Sequence, residues 1–217
     1  MTRHHWIHVF TVCITVIAVT PTAVSAQGSP NGRRVRWSSD IPLKDVVRPG
    51  DTTVAVLKPE HYEPFREEDT AERELLVRAA NADYVVIADI TSVTPIVTEQ
   101  GTWATTEIAS RVTRILRYNH DMPRKTPGAW QMVHDGGEID IAGVAVKVGA
   151  YPVVRRGQRY LIFTSHDRKR GITHAGPAFL IDAGGTLVTS ETSVDGPLAS
   201  VMNGMKLSDV ARLLREK

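Results

Sequence analysis

The chain reads as a mainly β protein, a small antiparallel barrel or sandwich with one helix leading into it and one helix after it. Three observations predict this. Between residues 84 and 189, short runs of β-branched and apolar residues recur, punctuated by Gly136-Gly137, Arg156-Gly157 and Gly184-Gly185. Helical periodicity is confined to two stretches, 69–81 and 207–217. The strands follow one another without the intervening helices that a parallel βαβ sheet requires. At 217 residues and 42% hydrophobic composition the chain is long enough to bury one core without disulfide staples.

Residues 1–26 read as a signal peptide. Arg3 is the sole charge, residues 6–19 contain no Asp, Glu, Lys or Arg, and Val24-Ser25-Ala26 places small residues before a cleavage point after Ala26. The apolar stretch of about 14 residues falls short of the roughly 20 that a spanning helix needs. Val12 before Cys13 also departs from a lipid-anchoring signal. The expectation is therefore an exported protein, periplasmic or extracellular, with no transmembrane segment after cleavage. Cys13 is the only cysteine, so the mature chain has none, which excludes thiol catalysis and cysteine-ligated zinc.

Residues 27–68 are rich in Pro, Gly and charge and hold no long period, so they read as an extended arm or linker, with 53–57 as a possible short strand. The domain is expected over 69–190. It opens on a helix over 69–81, where Asp69 and Glu72 have capping-box spacing, Leu75, Leu76, Ala79 and Ala80 share a stripe, and Asn81 offers a left-handed stop. Strands follow at 84–93, closed by Thr94-Pro95, and at 105–116, where the Val112, Ile115, Leu116 spacing breaks the period of two and calls for a β-bulge. Further strands are expected at 130–133, 139–148, 158–164, 171–182 and 186–189. Residues 191–217 form a tail and a last helix, with Ser208 as N-cap and Val210, Leu213 and Leu214 on one face, expected to pack against the open end of the barrel.

The order of four motifs carries a resemblance. These are Ala82-Asp83-Tyr84-Val85-Val86, a strand ending Arg114-Ile115-Leu116-Arg117, the Gly136-Gly137-Glu138 turn, and Arg156-Gly157-Gln158-Arg159-Tyr160-Leu161-Ile162-Phe163. Over residues 80–190 the pattern resembles a poorly characterised group of exported bacterial proteins. More distantly it is similar to netrin-like modules and tissue inhibitors of metalloproteinases. The resemblance implies an OB-like β-barrel. It does not bring the inhibitory mechanism with it, because those inhibitors act through an N-terminal cysteine that this mature chain lacks. Arg117-Tyr118-Asn119 also departs from the Lys-Gly stop of the bacterial group.

With 26 basic and 24 acidic residues the chain is nearly neutral, so nucleic acid is not an expected partner. Ser165-His166-Asp167 juxtaposes three triad residue types, but neighbours along a strand point in different directions. His134, Asp135, Glu138 and Asp140 lie around a Gly-Gly turn where imidazole and carboxylates can converge on a metal ion. Trp103 and Trp130, beside expected turns, are candidate aromatic anchors for a partner, or else core residues. The preferred reading is an exported non-catalytic binding domain, without cofactor, recognising a protein or cell-envelope component. The alternative is a small exported metal-dependent hydrolase using the His134–Asp140 turn through His134, Asp135 and Glu138.

Overall fold

The computed structural model describes residues 32–57, 70–149, 154–188 and 202–215, and the segment 1–26 expected to be a signal peptide lies outside them. The protein is mainly β, with ten strands in two sheets and three helices among the described residues.

The sheet that organises the rest is built on β3 (Tyr84–Val97), whose first seven residues are buried except for the half-buried Asp89. Alternation explains why so continuous an apolar run is needed here. Tyr84, Val86, Ala88 and Ile90 face one cluster with Ile108, Val112, Trp130, Met132, Tyr160 and Ile162. Val85 and Ile87 face a second cluster with Leu75, Ala79, Leu161, Phe163, Phe179 and Val210. Both faces of the strand are therefore covered.

Antiparallel to β3 run β4 (Ala104–Tyr118) on one side and β8 (Arg159–Asp167) on the other. The β3–β4 register slips between Val85/Val86 and Ile87/Ala88, skipping Leu116 and Thr113 on β4. These slips lie where the broken period calls for a bulge, and they return Val112 and Ile108 to the interior. β5 (Gly128–Asp135) pairs antiparallel with β4, and β9 (Ile172–Ile181) antiparallel with β8. β5 and β9 then meet in parallel through Val133 with His174 and His134 with Ala175. The pairings thus run in a circuit from β3 through β4, β5, β9 and β8 back to β3. β10 (Leu187–Val188) extends β9.

β3 does not stop at Thr94-Pro95 as expected. Its pairing with β8 ends at Asp89, and the remainder of the strand pairs only with β4, so Pro95 occupies an edge position.

The first long helix, α2 (Ala71–Asn81), is capped by Thr70, whose hydroxyl accepts from the Arg73 N–H at 3.2 Å, one residue later than the expected start. Asn81 is not left-handed, because the chain passes straight into β3 through extended Ala82. The last helix, α3 (Leu207–Leu213), begins after Lys206 without a side-chain cap. Its Val210, Leu213 and Leu214 join α2 on the outer face of β3, β8 and β9.

The segment expected to be an arm or linker carries regular structure. It contributes β1 (Gly32–Arg36), α1 (Leu43–Val46) and β2 (Thr53–Leu57). The expected strand over 139–148 is a hairpin, β6 (Gly137–Ile141) and β7 (Val144–Val148), turned by left-handed Ala142 and Gly143. These strands form a second sheet in the order β1-β2-β7-β6, with β1–β2 and β2–β7 parallel. Arg33 closes the N-terminal end, donating to both carboxylate oxygens of Asp51 at 3.2 and 2.8 Å and to the Val46 carbonyl. Gly136 lets the chain cross from β5 to β6. Its φ of 114° is left-handed, and a Cβ there would collide with the Val148 carbonyl.

Val54 is 0% exposed in the second sheet. Val54→Ala is expected to lower stability by about 2 kcal/mol, read as a lower urea midpoint at unchanged slope. An unshifted midpoint would mean that this segment is a tether after all.

Candidate functional site

Both tryptophans expected as partner anchors are buried. Trp103 is 6% exposed. Its ring stands edge-on to Trp37 at 5.7 Å, and its Nε1 donates to Asp135 Oδ1 at 2.5 Å. Trp37 Nε1 in turn donates to the Thr102 carbonyl at 3.0 Å, so the pair fastens the second sheet to the β3–β4 connection. Trp130, 8% exposed, packs edge-on to Tyr84 at 5.4 Å and donates to the Thr126 carbonyl at 3.1 Å. The two rings belong to different core clusters, and neither turns its face to solvent.

The metal candidates diverge. His134 is 4% exposed, with Nδ1 3.0 Å from the Ala175 carbonyl oxygen across the β5–β9 ladder. Strand alternation sends Asp135 the other way, toward Trp103, and the crossing at Gly136 carries Glu138 into the second sheet, where its register partner is Lys147. Asp140 accepts the Gly143 N–H and shapes the β6–β7 turn. Among the described residues no group of three or more His, Cys, Asp or Glu is placed to hold a metal. His134, Asp135 and Glu138, the candidate metal ligands of the sequence, are therefore not brought together by the fold. Ser165-His166-Asp167 likewise forms no relay. His166 Nδ1 lies 3.1 Å from Thr173 Oγ1, while Asp167 Oδ1 accepts the Lys169 and Arg170 N–H groups to tie a turn.

What the fold does assemble is a basic surface at one end of the strand circuit. It is made by the β4–β5 connection, residues 119–127, and the β8–β9 connection, residues 168–171. Local chemistry shapes both. Asn119 Oδ1 accepts the Asp121 N–H at 3.2 Å, and Pro123 and Pro127 hold the following stretch out of helix. Gly171, at φ 69°, closes the other connection onto the Asp167 carbonyl. Three contacts bind the connections and the strands beneath them together. Arg168 directs Nε and Nη2 at Met122 Sδ, 3.4 and 3.1 Å away, and also donates to the Asp121 carbonyl. Lys125 Nζ donates to Thr173 Oγ1 at 3.0 Å. Tyr84 donates its hydroxyl to the Pro123 carbonyl at 2.6 Å.

Lys125 sits where the β5–β9 ladder, two residue pairs long, has ended. Its ammonium lies 4.7 Å from the Trp130 ring centroid and 5.4 Å from that of Tyr84. Burial pushes it below its ordinary pKa. Beside it opens a cavity of about 530 Å³, lined by Arg124, Lys125, Thr126, Pro127, Trp130 and Gln131. Arg124 and Lys125 line it, Arg168 reaches the same connection through Met122 and the Asp121 carbonyl, and Lys169 and Arg170 follow in its turn, where Arg170 pairs with Asp167 at 3.8 Å. Asp83 is occupied by the His166 N–H at 2.7 Å, and Asp167 by its turn. Two other open cavities flank α2, one against Phe163 and Pro177 and one beside Leu76 and Arg117.

The sequence reading missed this surface. Its signals were Arg124-Lys125 between two prolines and Arg168-Lys169-Arg170 before a glycine, each indistinguishable alone from a solvated turn.

Burial holds the His134 imidazole below its ordinary value, partly offset by the Ala175 carbonyl and the Asp135 charge. As pH falls below the ordinary imidazole range near 6.5, the unfolded chain takes up a proton that the folded chain resists, so stability is lost there. His134→Leu is expected to flatten the fall in urea midpoint between pH 7.5 and pH 5. Equal slopes in both proteins would contradict the burial of a neutral ring.

Compared with known proteins, the chain matches no family model and no curated sequence.

Proposed function

We propose that the protein is an exported, non-catalytic binding domain built on an OB-type barrel, recognising a protein or cell-envelope component through the surface around Lys125. The strand order supports the barrel. Counted along the chain, the circuit joins first to second, second to third, third to fifth, fifth to fourth and fourth to first, with the third and fifth strands parallel. OB-type barrels bind on the face of their second and third strands, near the first–second and fourth–fifth connections. Here those strands are β4 and β5, and the fourth–fifth connection is the Arg168 turn.

One observation carries the functional reading: two connections of like charge are tied together there by Arg168 and by Lys125, and the first of them lines a cavity. The chain spends hydrogen bonds and a cation–π stack on orienting this surface, while the tryptophans are consumed in packing. The export signal and the resemblance to exported bacterial proteins support an envelope setting. In this reading the second sheet is an addition that stiffens the opposite end.

Cross-linking and affinity capture from envelope and secreted fractions tests the proposal, with Arg124→Glu as a parallel bait. Arg124 is exposed, so the reversal leaves the fold intact. The expected result is a saturable partner retained by the native chain and reduced about tenfold or more by the reversal. Equal retention by both baits would overturn this surface as the recognition site.

A further inference from the structure

The binding reading leaves the chemistry of the ligand open, and Lys125 narrows it. Its ammonium is half-buried between Thr173 Oγ1, Trp130 and Tyr84. No carboxylate among the described residues pairs with it. A cation withdrawn from water costs free energy unless an anion compensates it. The cation–π stack and one hydroxyl supply only part of that compensation. Its open side faces the cavity of about 530 Å³, whose rim carries Arg124.

The cations continue beyond that cavity. Arg168 is fixed by Met122 and the Asp121 carbonyl, and exposed Lys169 and Arg170 follow it in the same turn, Arg170 with Asp167 3.8 Å from its Nε. Near neutrality of the whole chain conceals this, because a net charge averages over the entire surface. One anionic group would need only the Lys125 pocket. A row of cations on two connections matches repeated charge.

Resting on the binding reading, we propose that this surface binds a linear polyanion of the cell envelope, a polymer of repeated phosphate or carboxylate groups without nucleobases, with one anionic group seated between Lys125 and Arg124. Lys125 anchors that group as an oriented point charge. Arg124 adds the planar guanidinium fork that pairs with two oxygens at once. The Arg168–Arg170 turn holds the next groups along the chain. No aromatic face is left at the site for stacking a base, since the Trp130 indole is already covered by Lys125 and Tyr84.

The test titrates the full chain with polyphosphate, polyglutamate and a single-stranded oligonucleotide of matched charge, reading tryptophan fluorescence and calorimetric heat. Polyphosphate or polyglutamate is expected to bind with an affinity that falls steeply as salt rises, and which of the two binds tighter identifies the group. Lys125→Met, which keeps an apolar stem on Trp130, and the exposed Arg124→Gln are each expected to weaken binding about tenfold or more. Because Arg124→Gln alters no packed side chain, its loss of binding cannot be attributed to misfolding. Affinities unchanged in both variants, or an oligonucleotide bound tighter than both other polymers, would overturn the proposal. Envelope capture that survives high salt and both substitutions would overturn the polyanion while leaving the binding domain standing. Absence of both capture and polymer binding would overturn the two together.

Discussion

The double burial of β3 between Tyr84 and Ile90 is the constraint on which the other elements depend. A strand with one apolar face can lie on a single layer. This one needs cover on both. The inner face is met by β4, β5 and β8, which must curl to reach it, and the outer face by α2 and α3. The slips at Leu116 and Thr113 provide the curvature. The short parallel meeting of β5 and β9 closes the circuit, with the buried His134 ring bonded across it to Ala175.

That closure also explains where the basic surface lies. A ladder two pairs long leaves the start of β5 without a strand neighbour on the β9 side. Lys125 and Trp130 occupy this place, the aromatic ring giving packing and the ammonium reaching Thr173. A purely apolar plug would also have sealed the core. Placing an amine there, next to a cavity and a second basic turn, gathers positive charge at this end of the circuit. At the other end the tryptophans do structural work: Trp37 and Trp103 join the β3–β4 connection to the second sheet, and Asp135 fixes the indole of Trp103.

Much of the β architecture was legible in the sequence, because alternation and turn residues are local signals. The leading helix was readable from the Leu75 and Ala79 stripe, and the bulge from the crowding of Ile115 and Leu116 behind Val112. The second sheet was hidden for a physical reason. Thr53 pairs in parallel with Ala145, so no hairpin turn announces the contact, and five residues of β2 are too few for a period to stand out among prolines. Pro95 was misleading because a proline ends a strand only where its missing N–H is required, and β3 is an edge there. The site was hidden by distance. Lys125 and Thr173 are 48 positions apart, and Arg168 and Met122 are 46 apart, so each basic pair reads alone as a solvated turn. The tryptophans had the opposite problem, since an indole near a turn has the same appearance in sequence whether it is exposed or sealed beneath a loop.

The most direct test is a residue-resolved one. An amide correlation spectrum of the isotopically labelled chain, recorded as polyphosphate or polyglutamate is added, locates binding without altering a side chain. The account predicts shifts concentrated in residues 124–131 and 167–173, with those around Trp103 unchanged. Shifts centred on residues 98–103 and 136–149, or spread evenly over the surface, would contradict it.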